Sequence, residues 1–307
     1  MAKHQVLAPQ LSNFDLRLLR IFRTVVECGG FSAAEVELNI TRSAISMSMS
    51  DLEERLGMRL CQRGRAGFSL TDEGLRVYQA SQQLMASLEN FRTEVNSIQQ
   101  QLTGELNIGI TDNLVTIEHM KISHALRSLK AKGPEVEIQI RMIPPNEIER
   151  YILDGALHVG VVPNIHTRPG LHYQALYEEE SLLYCSAEHP LFALAESDDQ
   201  RTITSDMLQH YDAVAPAYAQ SAQTRGHYQI LNTSAKATDR EGVALLILTG
   251  SYIGYLPTHF AKRWVQSGHM GAIRPTEFRF ITHYRTVTRK GVQHNMVLDT
   301  FLHYVHD

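Results

Sequence analysis

At 307 residues, with 43% hydrophobic and 20% charged side chains, the chain has room for about two domains plus a connector, and its composition excludes a disordered protein. No stretch approaches the roughly 18 uncharged apolar residues of a membrane span. The start MAKHQVLAPQ lacks the charged, apolar and small-residue layout of a signal peptide, so a cytoplasmic protein without a membrane partner is expected. The net charge of −4 is unevenly divided: residues 1–71 carry nine Lys/Arg against seven Asp/Glu, the remainder 20 against 26. A slightly basic head on an acidic body fits one nucleic-acid-binding end and one end with another task.

The first seventy residues read as short helices. Leu18, Ile21, Phe22 and Val25 recur at helical spacing, with Asn13 or Asp15 to cap them and Gly29-Gly30 to end the helix. Ser32-Ala33-Ala34-Glu35 has the form of a capping box opening a second helix. Thr41 can cap a third, whose apolar face is Ile45, Met49, Leu52 and Leu56 and which Gly57 stops. Met58 to Leu70 alternates and turns at Arg65-Ala66-Gly67, as a small β-hairpin wing does. Glu53-Glu54-Arg55 reads as a solvated stretch, not a contact.

From Thr71 to Leu102 there is no proline and only one glycine, Gly74. Leu84, Leu88, Phe91, Val95, Ile98 and Leu102 form a heptad seam, which calls for one long helix paired with a partner helix. The alternative is a helix packed on its own domain.

After Thr103-Gly104 the pattern becomes strand–helix alternation. Strands are expected at Leu106–Ile110, Val136–Ile143 and Leu157–Val162, with helices at Ile117–Lys130 and Ile148–Leu153. A strand at Ser181–Ser186 and an apolar helix around Val243–Thr249 suggest a second lobe, and Gln293–Tyr304 closes the chain as a helix. Cys28, Cys61 and Cys185 are too few and too scattered for a disulfide framework or a zinc site, and no nucleotide or metalloprotease fingerprint is present. No metal, no cofactor and no catalysis is therefore expected.

The sequence resembles the LysR-type transcriptional regulators over nearly its whole length. The residues that carry the resemblance are Phe31-Ser32-Ala33-Ala34, Ser43-Ala44-Ile45-Ser46, Leu52-Glu53-Glu54-Arg55-Leu56-Gly57, Arg59-Leu60 and Leu70-Thr71-Asp72-Glu73-Gly74, in the family's order and spacing. His189-Pro190-Leu191 and Gly250 to Pro257 look like the family's later landmarks. The resemblance implies an all-α winged helix-turn-helix over residues 1–71, a long linker and dimerisation helix over 72–102, and an effector-binding α/β domain over 103–307. That domain is two-lobed and periplasmic-binding-protein-like, one lobe about 103–178 plus 273–307 and the other about 179–272.

With its apolar residues turned to the core, the third helix presents Arg42, Ser43, Ser46, Met47 and Ser50, short enough for close entry into a major groove. Ser32 and Thr41 lie beside it, and Arg63 and Arg65, on or beside the wing, suit neighbouring phosphates. The departures are Arg42-Ser43, where the family often has Gln-Pro, and Met47, where it often has arginine. The expected partner is duplex DNA with inverted half-sites. The seam Leu84, Leu88, Phe91, Val95 and Ile98 is expected to pair two chains, and the resemblance implies a tetramer.

The resemblance also places a small-molecule effector between the lobes, on Thr111, Asp112, Asn113, Pro163, Asn164, Tyr184, Tyr218 and Tyr255. Thr111-Asp112-Asn113 has the alternative reading of plain helix capping. A hydroxyl and free N–H groups at a helix start suit a small anion, whereas Asp112 in the cleft favours an amine or a hydroxyl-rich molecule. Two further alternatives are a thiol sensor at Cys185 and a purely architectural DNA-binding protein, which would have no use for residues 103–307.

Overall fold

The computed structural model describes residues 11–64, 67–98, 102–111, 114–118, 120–197, 200–291 and 295–307. It falls into two compact units, which divide after Leu88.

The first unit opens with α1 (Asn13–Glu27), α2 (Phe31–Leu38) and α3 (Arg42–Leu56). Ser12, and neither Asn13 nor Asp15, caps α1: its hydroxyl accepts from the Asp15 amide while the Asp15 carboxylate takes the Ser12 N–H at 2.8 Å. The capping box expected at Ser32–Glu35 does not form. Gly29 and Gly30, at φ +71° and +154°, reverse the chain so tightly that Phe31 is already helical and Ser32 lies inside α2. Phe31 is held there edge-on against the Phe68 ring, 6.0 Å away. Thr41 caps α3 by accepting from the Ala44 amide, and Gly57 ends it at φ +66°.

Leu18, Phe22 and Val25 of α1, Ala34 of α2 and Ile45, Met49, Leu52 and Leu56 of α3 make one buried core. Strands β1 (Cys61–Gly64) and β2 (Gly67–Leu70) pair antiparallel as the wing. Helix α4 runs Asp72–Ile98, with Thr71 capping it through the Gly74 amide at 2.9 Å. A Cβ at Gly74 would collide with the Leu60 carbonyl oxygen, which explains glycine in the first turn of a long helix. Leu84, Met85 and Leu88 cover the head's core. The seam therefore divides: its first two leucines pack on their own domain, whereas Phe91 is 65% and Val95 42% exposed.

In the second unit, β3 (Glu105–Ile110), α5 (Lys121–Lys132), β4 (Glu137–Met142), α6 (Pro145–Leu153) and β5 (Val159–Pro163) form the first lobe's parallel βαβ core. The helix expected from Ile117 starts at Lys121, because one 3-10 turn, Leu114–Thr116, intervenes. Strand β6 (Leu171–Ser186) is sixteen residues long, of which only the last six were expected. It leads into α7 (Phe192–Ala195), α8 (Ser205–Leu208), β7 (Asp212–Pro216), α9 (Ala222–Gln229), β8 (Asn232–Ala237), α10 (Arg240–Leu248), β9 (Ile253–Pro257), α11 (Thr258–Gln266) and β10 (Met270–Ala272). Strand β11 (Arg279–Arg289) and α12 (Met296–His306) return to the first lobe.

The strands join in the order β4-β3-β5-β11-β6-β9-β7-β8, with β10 beside β6. Within each lobe the β3, β4 and β5 or the β7, β8 and β9 pairings are parallel. The two long crossover strands β6 and β11 run antiparallel to each other between them. Separate buried clusters underlie the lobes, Leu106, Ile108 and Phe301 in the first and Leu183, Ile203 and Ile253 in the second.

Candidate nucleic-acid interface and effector cleft

The start of α3 is built for close approach. Ser32, Thr41, Arg42, Ser43, Met47 and Ser50 are exposed and Ser46 is half-buried; on α3, Ser43, Met47 and Ser50 lie opposite the core residues Ile45, Met49, Leu52 and Leu56. The Thr41 and Ser43 hydroxyls lie 3.0 Å apart, and the Ser50 hydroxyl donates to the Ser46 carbonyl at 3.0 Å, which keeps it close to the helix surface. Glu35 accepts the Arg42 N–H at 3.2 Å and so ties α2 to the first turn of α3. Met47, 67% exposed, puts a large apolar group on this polar face. Arg63 lies on β1 opposite Phe68, its side chain outside the described atoms, and Arg65 lies outside the described residues.

The Glu53-Glu54-Arg55 stretch is not merely solvated. Glu53 Oε1 accepts the Leu60 and Cys61 amides at 2.8 and 3.3 Å, joining α3 to the wing. Arg55 Nη1 donates to the largely buried Asp15 carboxylate at 2.8 Å, joining α3 to α1. Periodicity sees these residues only as the polar side of a helix, because their partners are amides and side chains distant in sequence.

Two cavities lie between the lobes. The larger, about 590 Å³, has Thr111, Val115 and Met142 on one side and Asp239, Arg240 and Glu241 on the other. The smaller, about 230 Å³, is walled by Asn164, Gln220, Tyr228, Tyr255 and Phe280. Pro163, Tyr218, Arg240 and Tyr284 line both. Of the residues expected at the effector, Thr111, Pro163, Asn164, Tyr218 and Tyr255 are thus brought together. Asp112 and Asn113 lie outside the described residues. Tyr184 does not join them; it is buried with Val214, Phe260 and Met270 beneath α10 and α11. Its residue faces away from the cavities because side chains alternate along β6.

Thr111 does not cap α5, which begins ten residues later, after the 3-10 turn Leu114–Thr116. Its hydroxyl is buried without a hydrogen-bond partner among the described residues, and so is that of Tyr255, whose ring packs among Tyr228, His227 and Phe280 at 5.1–6.0 Å. An unpaired buried hydroxyl costs about 1–3 kcal/mol, so each is a place where a ligand group would be favoured. Burial drives the Tyr255 phenol well above its usual pKa, so it acts as a neutral donor.

Where the crossover strands meet α10, a buried polar network holds the cleft. Arg240, first residue of α10 after the Asp239 cap, donates from Nη2 to Glu179 Oε1 at 2.6 Å and to the Tyr284 hydroxyl. Glu179 Oε2 meets His259 Nε2 at 3.0 Å. Tyr177 stacks on Tyr284 with centroids 4.8 Å apart. Sequence reasoning misses this network. Glu178-Glu179-Glu180 looks like a solvated run, although period-two alternation points Glu179 inward. Arg240 looks like an ordinary first-turn residue until tertiary structure supplies its partner.

Residues 99–307 match the family described as "LysR substrate binding domain", and residues 16–75 match "Bacterial regulatory helix-turn-helix protein, lysR family". The chain is also 57% identical over 293 residues, 95% of each protein, to the HTH-type transcriptional activator BauR of Pseudomonas aeruginosa. The chain belongs to the LysR family of transcriptional regulators. Its fold is that of solved LysR-type proteins. A crystal structure of full-length CbnR complexed with its target DNA matches with a TM-score of 0.65 at 18% identity, over 95% of this chain and 98% of that one. ArgP from Mycobacterium tuberculosis matches with 0.57 at 18%, over 96% of each. This LysR-type chain is thus a DNA-binding regulator, modulated by a small molecule at its substrate-binding domain, and not an enzyme. Among the described residues, no helix is long and apolar enough to cross a membrane.

Proposed function

We propose that this regulator activates transcription from the cytoplasm. Arg42, Ser43, Ser46, Met47 and Ser50 read base edges, and Ser32, Thr41, Arg63 and Arg65 hold flanking phosphates. Met47 lies against a thymine methyl, because a thioether cannot hold a phosphate. Residues 1–71 form the DNA-binding domain, 72–102 the linker and 103–307 the sensor, and the exposed part of the seam pairs two chains within a tetramer. Activation rests on the 57% identity to a transcriptional activator over 95% of both chains.

The observation that carries the effector site is a pair of cavities that share Pro163, Tyr218, Arg240 and Tyr284, each lined by a buried hydroxyl with no partner among the described residues, Thr111 in one and Tyr255 in the other. Volumes of 230 and 590 Å³ suit a small organic molecule. The test is a thermal-shift screen of metabolites on the full-length protein, where a ligand at 100 times its Kd stabilises by about 2.7 kcal/mol. Thr111→Val and Tyr255→Phe should then each weaken that ligand by about 1–3 kcal/mol in calorimetric titration. Unchanged affinity in both variants would remove the ligand from this cleft.

A further inference from the structure

The larger cavity has walls from different lobes, with Thr111 and Val115 on the first and Arg240 and Glu241 on the second. A continuous chain of hydrogen bonds joins those walls by a route outside the cavity. Thr116, next to Val115, has its hydroxyl 2.6 Å from His259 Nδ1 at the start of α11. The other ring nitrogen meets Glu179 Oε2 at 3.0 Å, and Glu179 Oε1 accepts from Arg240 at 2.6 Å. Three of the four members are shielded from water: the side chains of Glu179, Arg240 and His259 are 1%, 10% and 15% exposed.

We propose that Thr116, His259, Glu179 and Arg240 form an interlobe latch, in which His259 is the positioning residue that sets how far the two walls of the effector cavity stand apart. The chemistry fixes the ring. A carboxylate only accepts, so Nε2 donates to Glu179, while Nδ1 shares the second hydrogen bond with the Thr116 hydroxyl. Imidazole is thereby oriented across the lobe boundary, and moving either wall strains a bond to the other. A ligand seated against Val115 and Arg240 touches one end of the chain and the residue next to the other, so occupancy and lobe spacing become one equilibrium. The neighbouring Glu118–Lys262 pair also spans the lobes, but its side chains are 71% and 52% exposed, and such a pair contributes little.

The latch rests on the effector reading for its purpose but is tested without an effector, so its failure would leave that reading standing. Nitroxides placed at Glu135→Cys in the first lobe and Gln266→Cys in the second, both exposed, report the spacing. The full-length protein carries Cys28→Ser and is mixed with excess unlabelled chain, so that pulsed electron–electron measurements read distances within one subunit. One narrow distance is expected for the parent, and it should persist in Lys262→Ala. His259→Ala and Thr116→Val should each add a longer, broader population, and the double variant should add nothing more. His259→Gln, whose amide can donate to Glu179 and accept from Thr116, should restore the narrow distance. A narrow distribution in His259→Ala, additive broadening in the double variant, or a glutamine variant as broad as alanine would each overturn the latch. If His259→Ala does not fold, Thr116→Val, which loses one hydroxyl, decides alone.

Discussion

Arg240 Nη2 and Glu179 Oε1 lie 2.6 Å apart, with 10% and 1% of their side chains exposed, where a helix start of the second lobe meets a crossover strand. Two charges taken this far out of water stay only because each has its partner; Glu179 also accepts from His259 and sits 3.4 Å from the Tyr284 hydroxyl. Removing one partner strands the other. Arg240→Met should destabilise the protein by about 3–5 kcal/mol in urea denaturation, and adding Glu179→Gln should recover part of that loss. A double variant no more stable than the single one would mean that the carboxylate is not the stranded charge.

The split of the α4 seam separates two kinds of variant. Phe91, 65% exposed, has no core of its own to protect, whereas Leu84 and Leu88 pack on the winged head. Phe91→Asp should keep the head folded and yield smaller species in sedimentation, with operator binding lost, because a charge buried without a partner costs about 3–5 kcal/mol at an interface. Leu84→Asp should instead lower the melting temperature of the head. An unchanged oligomer in Phe91→Asp would place the pairing surface elsewhere.

His158 supplies a pH signature. Burial lowers its pKa to about 4, from an ordinary value of 6.5, and its Nδ1 accepts the Asn107 amide at 3.0 Å, which needs a neutral ring. The folded pKa lies below the unfolded one, so the unfolded chain binds the extra proton first. This contribution is whole above pH 6.5 and drains away as the pH falls toward 4, at no more than about 1.4 kcal/mol per pH unit. His158→Asn keeps an acceptor near Nδ1 without a titratable ring. Urea melts between pH 7.5 and 5 should show a shallower pH slope for the variant, and equal slopes would contradict this assignment.

Cys185 is fully buried on β6, opposite Gly271 of β10, and burial pushes its thiol up to about 12. The thiolate is the reactive form, so almost none is available at neutral pH. Mild peroxide should leave DNA binding unchanged, as measured by gel shift before and after treatment. Loss of binding that is reversed by a reductant and abolished in Cys185→Ala would restore the thiol-sensor alternative.

The sequence by itself determined the elements whose cause is local. The apolar stripe Ile45-Met49-Leu52-Leu56, the Thr41 cap and the Gly57 stop define α3 because helical period and capping act within a few residues. The βαβ alternation likewise determined the parallel core of the first lobe, whereas the parallel strands β7, β8 and β9 of the second left no such signal. Tertiary structure decided the rest. It extended β6 through Gln174 and Glu178-Glu179-Glu180, since β11 supplies a strand partner to residues with little strand propensity of their own. It moved the cap of α1 to Ser12, turned Glu53 and Arg55 into ties between elements, and sent Tyr184 into a core while bringing Tyr218 and Tyr255 to the cleft. Above all it assembled Thr116, Glu179, Arg240 and His259 from segments as much as 143 residues apart. A charged residue looks solvated in one dimension; only its burial, and the partner that makes burial tolerable, distinguishes a buried network from a surface.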